Sequence, residues 1–270
     1  MAVRRIMIIT AYDGTDYSGW AMQKDPAIPT IEGELKKAVE DLTGEQINLQ
    51  GASRTDAGVH ALCNYAVFDT HAAIPPEKYA PALNTRLPQS IRIRKSREVD
   101  RTFNPRDVRT LKTYEYHILN CQIPVPTMTR YAVHTYFRLD VGRMRQGAEY
   151  LIGEHDFRSF CNAATQAQTT VREITNIEIS ERNLPVPAIL YGKKNQPAQQ
   201  DLARQIILTV QGKGFLYNMV RIIAGTLMEV GRGLREPEDV KTMLEARDRQ
   251  AAGPTAPANG LILTDYRILP

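Results

Sequence analysis

The sequence is sparing in cysteine, in long apolar runs and in charge of one sign, and each scarcity removes a class of protein. Its three cysteines, Cys63, Cys121 and Cys161, are odd in number and far apart, which fits neither a disulfide framework nor a zinc-ligand spacing. The best candidate for a membrane span, Met219 to Val230, is broken by Arg221 and Glu229 and falls short of the ~20 apolar residues a spanning helix needs. Near the N-terminus Arg4 and Arg5 are followed only by the apolar run Ile6 to Ile9, too short for the core of a secretory leader. These features point away from membranes and towards a reducing, cytoplasmic setting. What remains is an ordinary core-forming composition, 43% hydrophobic and 24% charged over 270 residues. That is enough for one large domain or two small ones and argues against wholesale disorder.

Net charge is only +4, but it is unevenly placed. From Arg86 to Lys112 nine Lys/Arg stand against three Asp/Glu, so this stretch alone carries +6, more than the whole chain. A local basic excess of this kind suits a polyanion footprint. A solvated strand-and-loop face would account for it as well.

Hydrophobic periodicity reads as one pattern used twice. Arg5 to Tyr12 forms a strand running into the turn Asp13-Gly14. Thr30 caps a helix with Ile31, Leu35, Ala38, Val39 and Leu42 at helical spacing, and Gly44 follows its end. Gln46 to Gln50 reads as a short strand, and Leu62 to Phe68 alternates as another. Pro76 opens a helix to Arg86, and Ile91 and Ile93 mark a last strand. In the second half Thr113 to Leu119 is a strand, and Asp140 caps a helix with Met144, Ala148, Leu151 and Ile152 on one face. Val171 to Ile179 and Gln205 to Val210 are strands, Leu216 to Val230 is a helix, another helix starts at Pro237, and Leu261 to Tyr266 closes the chain as a strand. Two successive β-α-β-β-α-β units predict an α+β protein of two ferredoxin-like subdomains, 1–107 and 108–270, with antiparallel sheets joined around a central basic cleft. Asn183 to Arg204, with three prolines and many polar residues, reads as a long surface loop or insertion.

The segment Gly51 to Ala61, GASRTDAGVHA, lies between two expected strands. Asp56 is followed by two small residues, and Gly58 can take positive φ, so its carboxylate would stand on a tight loop open to close approach by a ligand. Taken alone, the residues are better read as an ordinary turn with Asp56 making an Asx-type bond. In isolation the lone histidines His60 and His155 look like metal or acid-base candidates. Gly212-x-Gly214 and Gly231-x-Gly233 are too short to be phosphate fingerprints, and Trp20 reads as packing rather than as a base-stacking group.

A resemblance changes the weight given to Asp56. Arg54-Thr55-Asp56-Ala57-Gly58-Val59-His60-Ala61 is similar to the catalytic signature of the tRNA pseudouridine synthase A (TruA) family. Five further segments agree in order: Tyr12 to Trp20 (YDGTDYSGW), Lys112 to Tyr116 (KTYEY), Gly153 to Phe160, Phe215 to Arg221 (FLYNMVR), and Ala252 to Leu261. Departures from the family pattern are Ser53, Ala21, Glu32, Lys112 and the stretch Asn104-Pro105-Arg106; none removes a group the chemistry needs. The resemblance implies isomerisation of uridine in the anticodon stem-loop of tRNA, at positions 38 to 40, by a homodimer with no metal or organic cofactor. It further implies that Asp56 acts on the ribose, either attacking C1′ or assisting loss of a sugar proton. Arg221 would pair with Asp56 and hold it ionised. Tyr114 would lie against the flipped base, placed to relay the C5 proton, and Arg54 would fill the vacated stack or grip a neighbouring phosphate. Tyr114 and Tyr116, sharing a strand face, would otherwise be read as core aromatics. The rivals to this reading are a non-catalytic RNA-binding protein, a metal-dependent nuclease, and the same chemistry on a different RNA.

Overall fold

A computed structural model describes residues 2–25, 27–165, 167–184 and 203–269. The chain divides into two compact units: Met1–Lys112 with Ile262–Pro270, and Thr113–Leu261.

The first unit contains β1 (Arg4–Tyr12), α1 (Ile31–Thr43), β2 (Gln50–Gly51), β3 (His60–Thr70), α2 (Tyr79–Asn84) and β4 (Ile91–Val99). Its strands lie in the order β4-β1-β3, with β2 on β3; all these pairings are antiparallel. Alternation along β1 sends Ile6, Ile8, Thr10 and Tyr12 to one face, where Ile6 stands opposite Phe68 and Ile8 opposite Ala66. That face takes the helices, with the ring of Phe68 edge-on to Tyr79 of α2 at 5.5 Å. Thr30 accepts from the Gly33 amide at the start of α1, and Gly44 ends the helix in the left-handed conformation, as Thr30 and Gly44 in the sequence suggest. The opposite face carries Met7 against Arg97, Ile9 against Lys95 and Ile9 against Tyr65. Arg5 there grips Asp69 through two bonds of 2.7 Å, which holds the Asp69 carboxyl below its usual range.

The second unit contains β5 (Thr110–Asn120), which starts within the first, then β6 (Val133–Thr135), α3 (Val141–Glu149), β7 (Gly153–Asp156), β8 (Val171–Asn183), β9 (Arg204–Gly212), α4 (Met219–Gly231) and α5 (Asp239–Ala246). Here the strand order is β5-β9-β8-β7, with β6 parallel to β5 and the β7–β8 and β8–β9 pairs antiparallel. The last strand, β10 (Leu261–Ile268), belongs almost wholly to the first unit, where Ile262 and Leu263 pair in parallel with His60 and Ala61.

Several sequence expectations shift. The strand expected over Gln46 to Gln50 is regular only at Gln50–Gly51, although Ile47 and Leu49 are buried. The helix expected from Pro76 to Arg86 splits into a 3-10 turn, Pro76–Lys78, and α2. Ile152 lies beyond α3 and is 41% exposed, so it leaves the apolar face assigned to it, whereas Leu151 is fully buried. β6 and β7, at three and four residues, are too short to show a period. The expected loop Asn183 to Arg204 begins and ends in a paired register, Asn183 opposite Arg204; its residues 185–202 lie outside the described residues. No helix among the described residues is long and apolar enough to cross a membrane.

Candidate active site

In the first unit, the loop that carries Asp56 is held from behind by the segment after β1. The Trp20 amide donates to the Thr55 carbonyl at 3.0 Å, the Gly58 amide to the Tyr17 carbonyl at 3.2 Å, and the Val59 amide to the Asp56 carbonyl at 3.2 Å. Gly19, at φ +96°, approaches so closely that a Cβ there would stand 2.8 Å from the Thr55 carbonyl oxygen. Trp20 is fully buried and tilted against Tyr12 at 5.9 Å, so it is a packing residue. His60 Nδ1 lies 3.1 Å from both the Gly14 amide and Asp13 Oδ1, and one ring nitrogen cannot accept from the first while donating to the second. Asp13 Oδ1 already takes the Thr15 amide and hydroxyl at 3.1 and 2.6 Å. Through these two contacts the His60 ring ties the segment after β1 to the start of β3, and its tautomer decides which of them is a hydrogen bond. With its backbone fixed in this way, Asp56 is half-exposed, while Arg54 is exposed.

Beneath the loop runs a buried polar chain. Asn64, fully buried on β3, donates through Nδ2 to the Ser53 carbonyl at 2.9 Å and to the Tyr12 hydroxyl at 3.2 Å. Tyr12 in turn stands 2.8 Å from Thr55 Oγ1. A flipped Asn64 amide would set oxygen against the Ser53 carbonyl, so Asn64 donates to both Ser53 and Tyr12, and in the Tyr12–Thr55 pair either hydroxyl can donate. Tyr12→Phe removes the middle member and leaves two buried groups short of a partner. We expect a loss of ~1–3 kcal/mol in denaturant unfolding, with Tyr12→Leu worse. Sequence reasoning missed this chain. Its one signal was a polar Asn64 at a position where β3 alternation points inward, in line with Ala66 and Phe68.

In the second unit, Tyr114 and Tyr116 share a face of β5, and both are buried. Tyr114 meets Phe215 edge-on at 5.2 Å. The Tyr116 hydroxyl donates to the Pro257 carbonyl at 2.8 Å; burial drives its pKa well above the ordinary phenol range, and the charge of Arg221 opposes that rise. α4 starts at Asn218, a non-glycine residue at φ 62°, where Asn side chains are tolerated. Asn218 Oδ1 accepts from Arg221 Nη1 at 3.0 Å. Arg221 Nε donates to the Ala256 carbonyl at 2.8 Å, and its own carbonyl accepts the Ala256 amide at 3.1 Å. The guanidinium is thus held by its own helix turn and by the segment before β10. Asp56 and Arg54 accordingly share the loop of the first unit, while Tyr114 and Arg221 belong to the second. His155 caps a turn through the Ile152 carbonyl at 2.9 Å. Among the described residues no group of three or more His, Cys, Asp or Glu is placed to hold a metal ion.

Residues 8–106 and 148–267, most of the chain, match the family model described as tRNA pseudouridine synthase. A relative from Clostridium tetani named tRNA pseudouridine synthase A 2 is 44% identical over 262 residues, covering 97% of this chain and 98% of its own. Proteins named tRNA pseudouridine synthase A from Brevibacillus brevis and Caldicellulosiruptor bescii are 42% and 40% identical, each over 97% of this chain and 98% and 99% of their own.

Proposed function

Since the chain belongs to the tRNA pseudouridine synthase family, we propose that it isomerises uridine to pseudouridine in the anticodon stem-loop of tRNA, at positions 38 to 40, with Asp56 as its catalytic carboxylate. The observation that carries the assignment of Asp56 is the clamped loop: two backbone bonds with the Tyr12 to Trp20 segment and one within the loop fix Thr55 to Val59 and leave the carboxylate half-exposed. A carboxylate on a rigid, accessible loop is preorganised for attack on, or proton removal from, a ribose brought to it.

The reaction cuts the C1′–N1 bond, turns the uracil and joins C5 to C1′. A stacked base cannot turn, so the nucleotide must leave the helix at a cost of a few kcal/mol. In this reading Arg54 replaces the lost stack or holds the adjacent phosphate, Tyr114 lies against the extruded base, and Arg221 supplies the positive charge that favours an ionised carboxylate. The clamp on Arg221 from Asn218 and Ala256 supports a fixed rather than a searching guanidinium. Arg94, Lys95 and Arg97 on β4 are exposed; with Tyr65 on the same sheet face as Lys95 and Arg97, they suit contact with an RNA backbone. Ferredoxin-like subdomains, a homodimer and a cytoplasmic setting belong to the same reading. The strand order β4-β1-β3-β2 of the first unit supports the first of these. The functional subdomains 1–107 and 108–270 are proposed in chain order, with β10 lent to the first.

The test is an unmodified tRNA transcript tritiated at uridine C5, incubated with the wild-type protein in EDTA. Tritium release with pseudouridine mapped to positions 38 to 40 is the expected result. Release at another position moves the substrate site, and binding without release from any tRNA overturns the proposed activity.

A further inference from the structure

Among the described residues Arg172 on β8 has no carboxylate paired with it, and the ionisable group that its charge acts on is the Cys161 thiol. Arg172 is half-buried, and burial lowers its pKa. Its Nη1 donates to the carbonyls of Thr169 and Val171 at 2.9 and 2.6 Å, which leaves Nε and Nη2 without a bond among the described residues. The carboxylates on either side are engaged elsewhere. Glu173 is paired with Lys213; Asp156 takes the Thr170 hydroxyl at 2.6 Å and faces Arg247 at 3.4 Å. A guanidinium kept partly out of water with donors to spare is unfavourable until an anion meets it.

Its surroundings indicate which anion. Position 214 is a glycine, and a Cβ there would lie 3.8 Å from Arg172 Cδ and Nε, so the missing side chain leaves that flank of the guanidinium open. Gly214 belongs to the β9–α4 connection that also presents Phe215 to Tyr114 and carries Tyr217, 47% exposed. The Tyr217 carbonyl fixes this connection to Asn162, whose amide donates to it at 3.1 Å. The open donors of Arg172 therefore lie beside the loop whose Phe215 packs against Tyr114, the aromatic group assigned to the extruded base. A planar fork of N–H donors matches a phosphodiester in two contacts at once.

We propose that Arg172 is an RNA-binding residue that grips a backbone phosphate next to the nucleotide being isomerised. This rests on the RNA-modifying function proposed above. The experiment measures the affinity of Arg172→Gln and wild type for an unmodified tRNA transcript across a salt series, together with tritium release. Each phosphate contact contributes about 0.7–0.9 to the slope of log K against log salt. We expect Arg172→Gln to bind about tenfold more weakly, with a slope shallower by roughly that amount, and kcat at saturating tRNA to stay within about threefold of wild type. Arg172→Lys, which keeps the charge, should retain the slope. A wild-type slope in Arg172→Gln, with at most a lower melting temperature, would mean that Arg172 only braces the start of β8 and would overturn the proposal. Should Arg172→Gln not fold, wild-type enzyme decides with RNA whose phosphates flanking the target uridine are replaced singly by neutral methylphosphonate. One replacement must then weaken binding about tenfold; if neither does, the proposal fails. Wild-type protein that neither binds tRNA nor releases tritium would instead sink the function on which the proposal depends.

Discussion

Asp56→Ala and Asp56→Asn are expected to lower tritium release by on the order of a thousandfold or more, the scale seen when a group that bonds to or deprotonates the substrate is removed, while leaving tRNA affinity within a few-fold of wild type. The loop should survive either change. The bonds that fix it run through the backbones of Trp20, Thr55, Gly58, Tyr17, Val59 and Asp56, and none depends on the Asp56 carboxylate. The side chain is half-exposed, so its loss opens no cavity, and the unfolding midpoint should move little. Single-turnover release with excess enzyme separates chemistry from binding, and a filter-binding curve on the same RNA measures the second. Activity within tenfold of wild type in both variants would remove Asp56 from the reaction. A parallel loss of binding and melting temperature would make it a structural turn residue, the plainer reading of the segment taken alone.

Gly225→Ala should be the most damaging single-methyl change in the second unit, and its sign is opposite to the usual expectation. In the middle of an exposed helix, alanine is better than glycine by about 1 kcal/mol. Gly225 lies in the second turn of α4, where an added Cβ would sit 1.9 Å from the carbonyl oxygen of Pro254 and 3.4 Å from the amide nitrogen of Ala256. Backbone stands on both sides of that contact, so no rotamer change relieves it and helix and strap must separate. We expect a destabilisation of ~1–3 kcal/mol or more, a fall in melting temperature of roughly 4–10 °C. The strap also holds Arg221, through Nε to the Ala256 carbonyl and back from the Ala256 amide, so kcat should fall further than stability alone accounts for. Gly44→Ala is the control: φ is +71° but nothing lies within 4 Å of the new atom, and its cost should stay near 1 kcal/mol. Equal effects from the two would show that the close approach at Gly225 does not matter.

Most of the elements were legible because they are local. Thr30, the apolar spacing from Ile31 to Val39 and Gly44 together define α1, and the observed helix begins and ends where they require. The alternation in β3 and the apolar stripe of α4 behave likewise, since period and caps are properties of neighbouring residues. Asp56 could be singled out because a motif of eight residues surrounds it. The residues around it were harder to see. Tyr12, Ser53, Thr55 and Asn64 are separated by up to 52 positions, and their hydrogen-bonded chain exists only because β1 and β3 pair in one register, with Thr10 opposite Asn64. β6 and β7 are strands by virtue of their partners alone. The role of Gly225 likewise depends on Pro254, and that of Ala256 on Arg221. Sequence by itself determined the caps of α1, the alternation of β3, the apolar stripe of α4 and which carboxylate to suspect, since propensity, capping and motif act over a few residues. Only the tertiary structure decided what fixes that carboxylate, what clamps Arg221 and that Arg172 keeps donors without a bond among the described residues, because these follow from contacts between segments whose spacing in the chain carries no period.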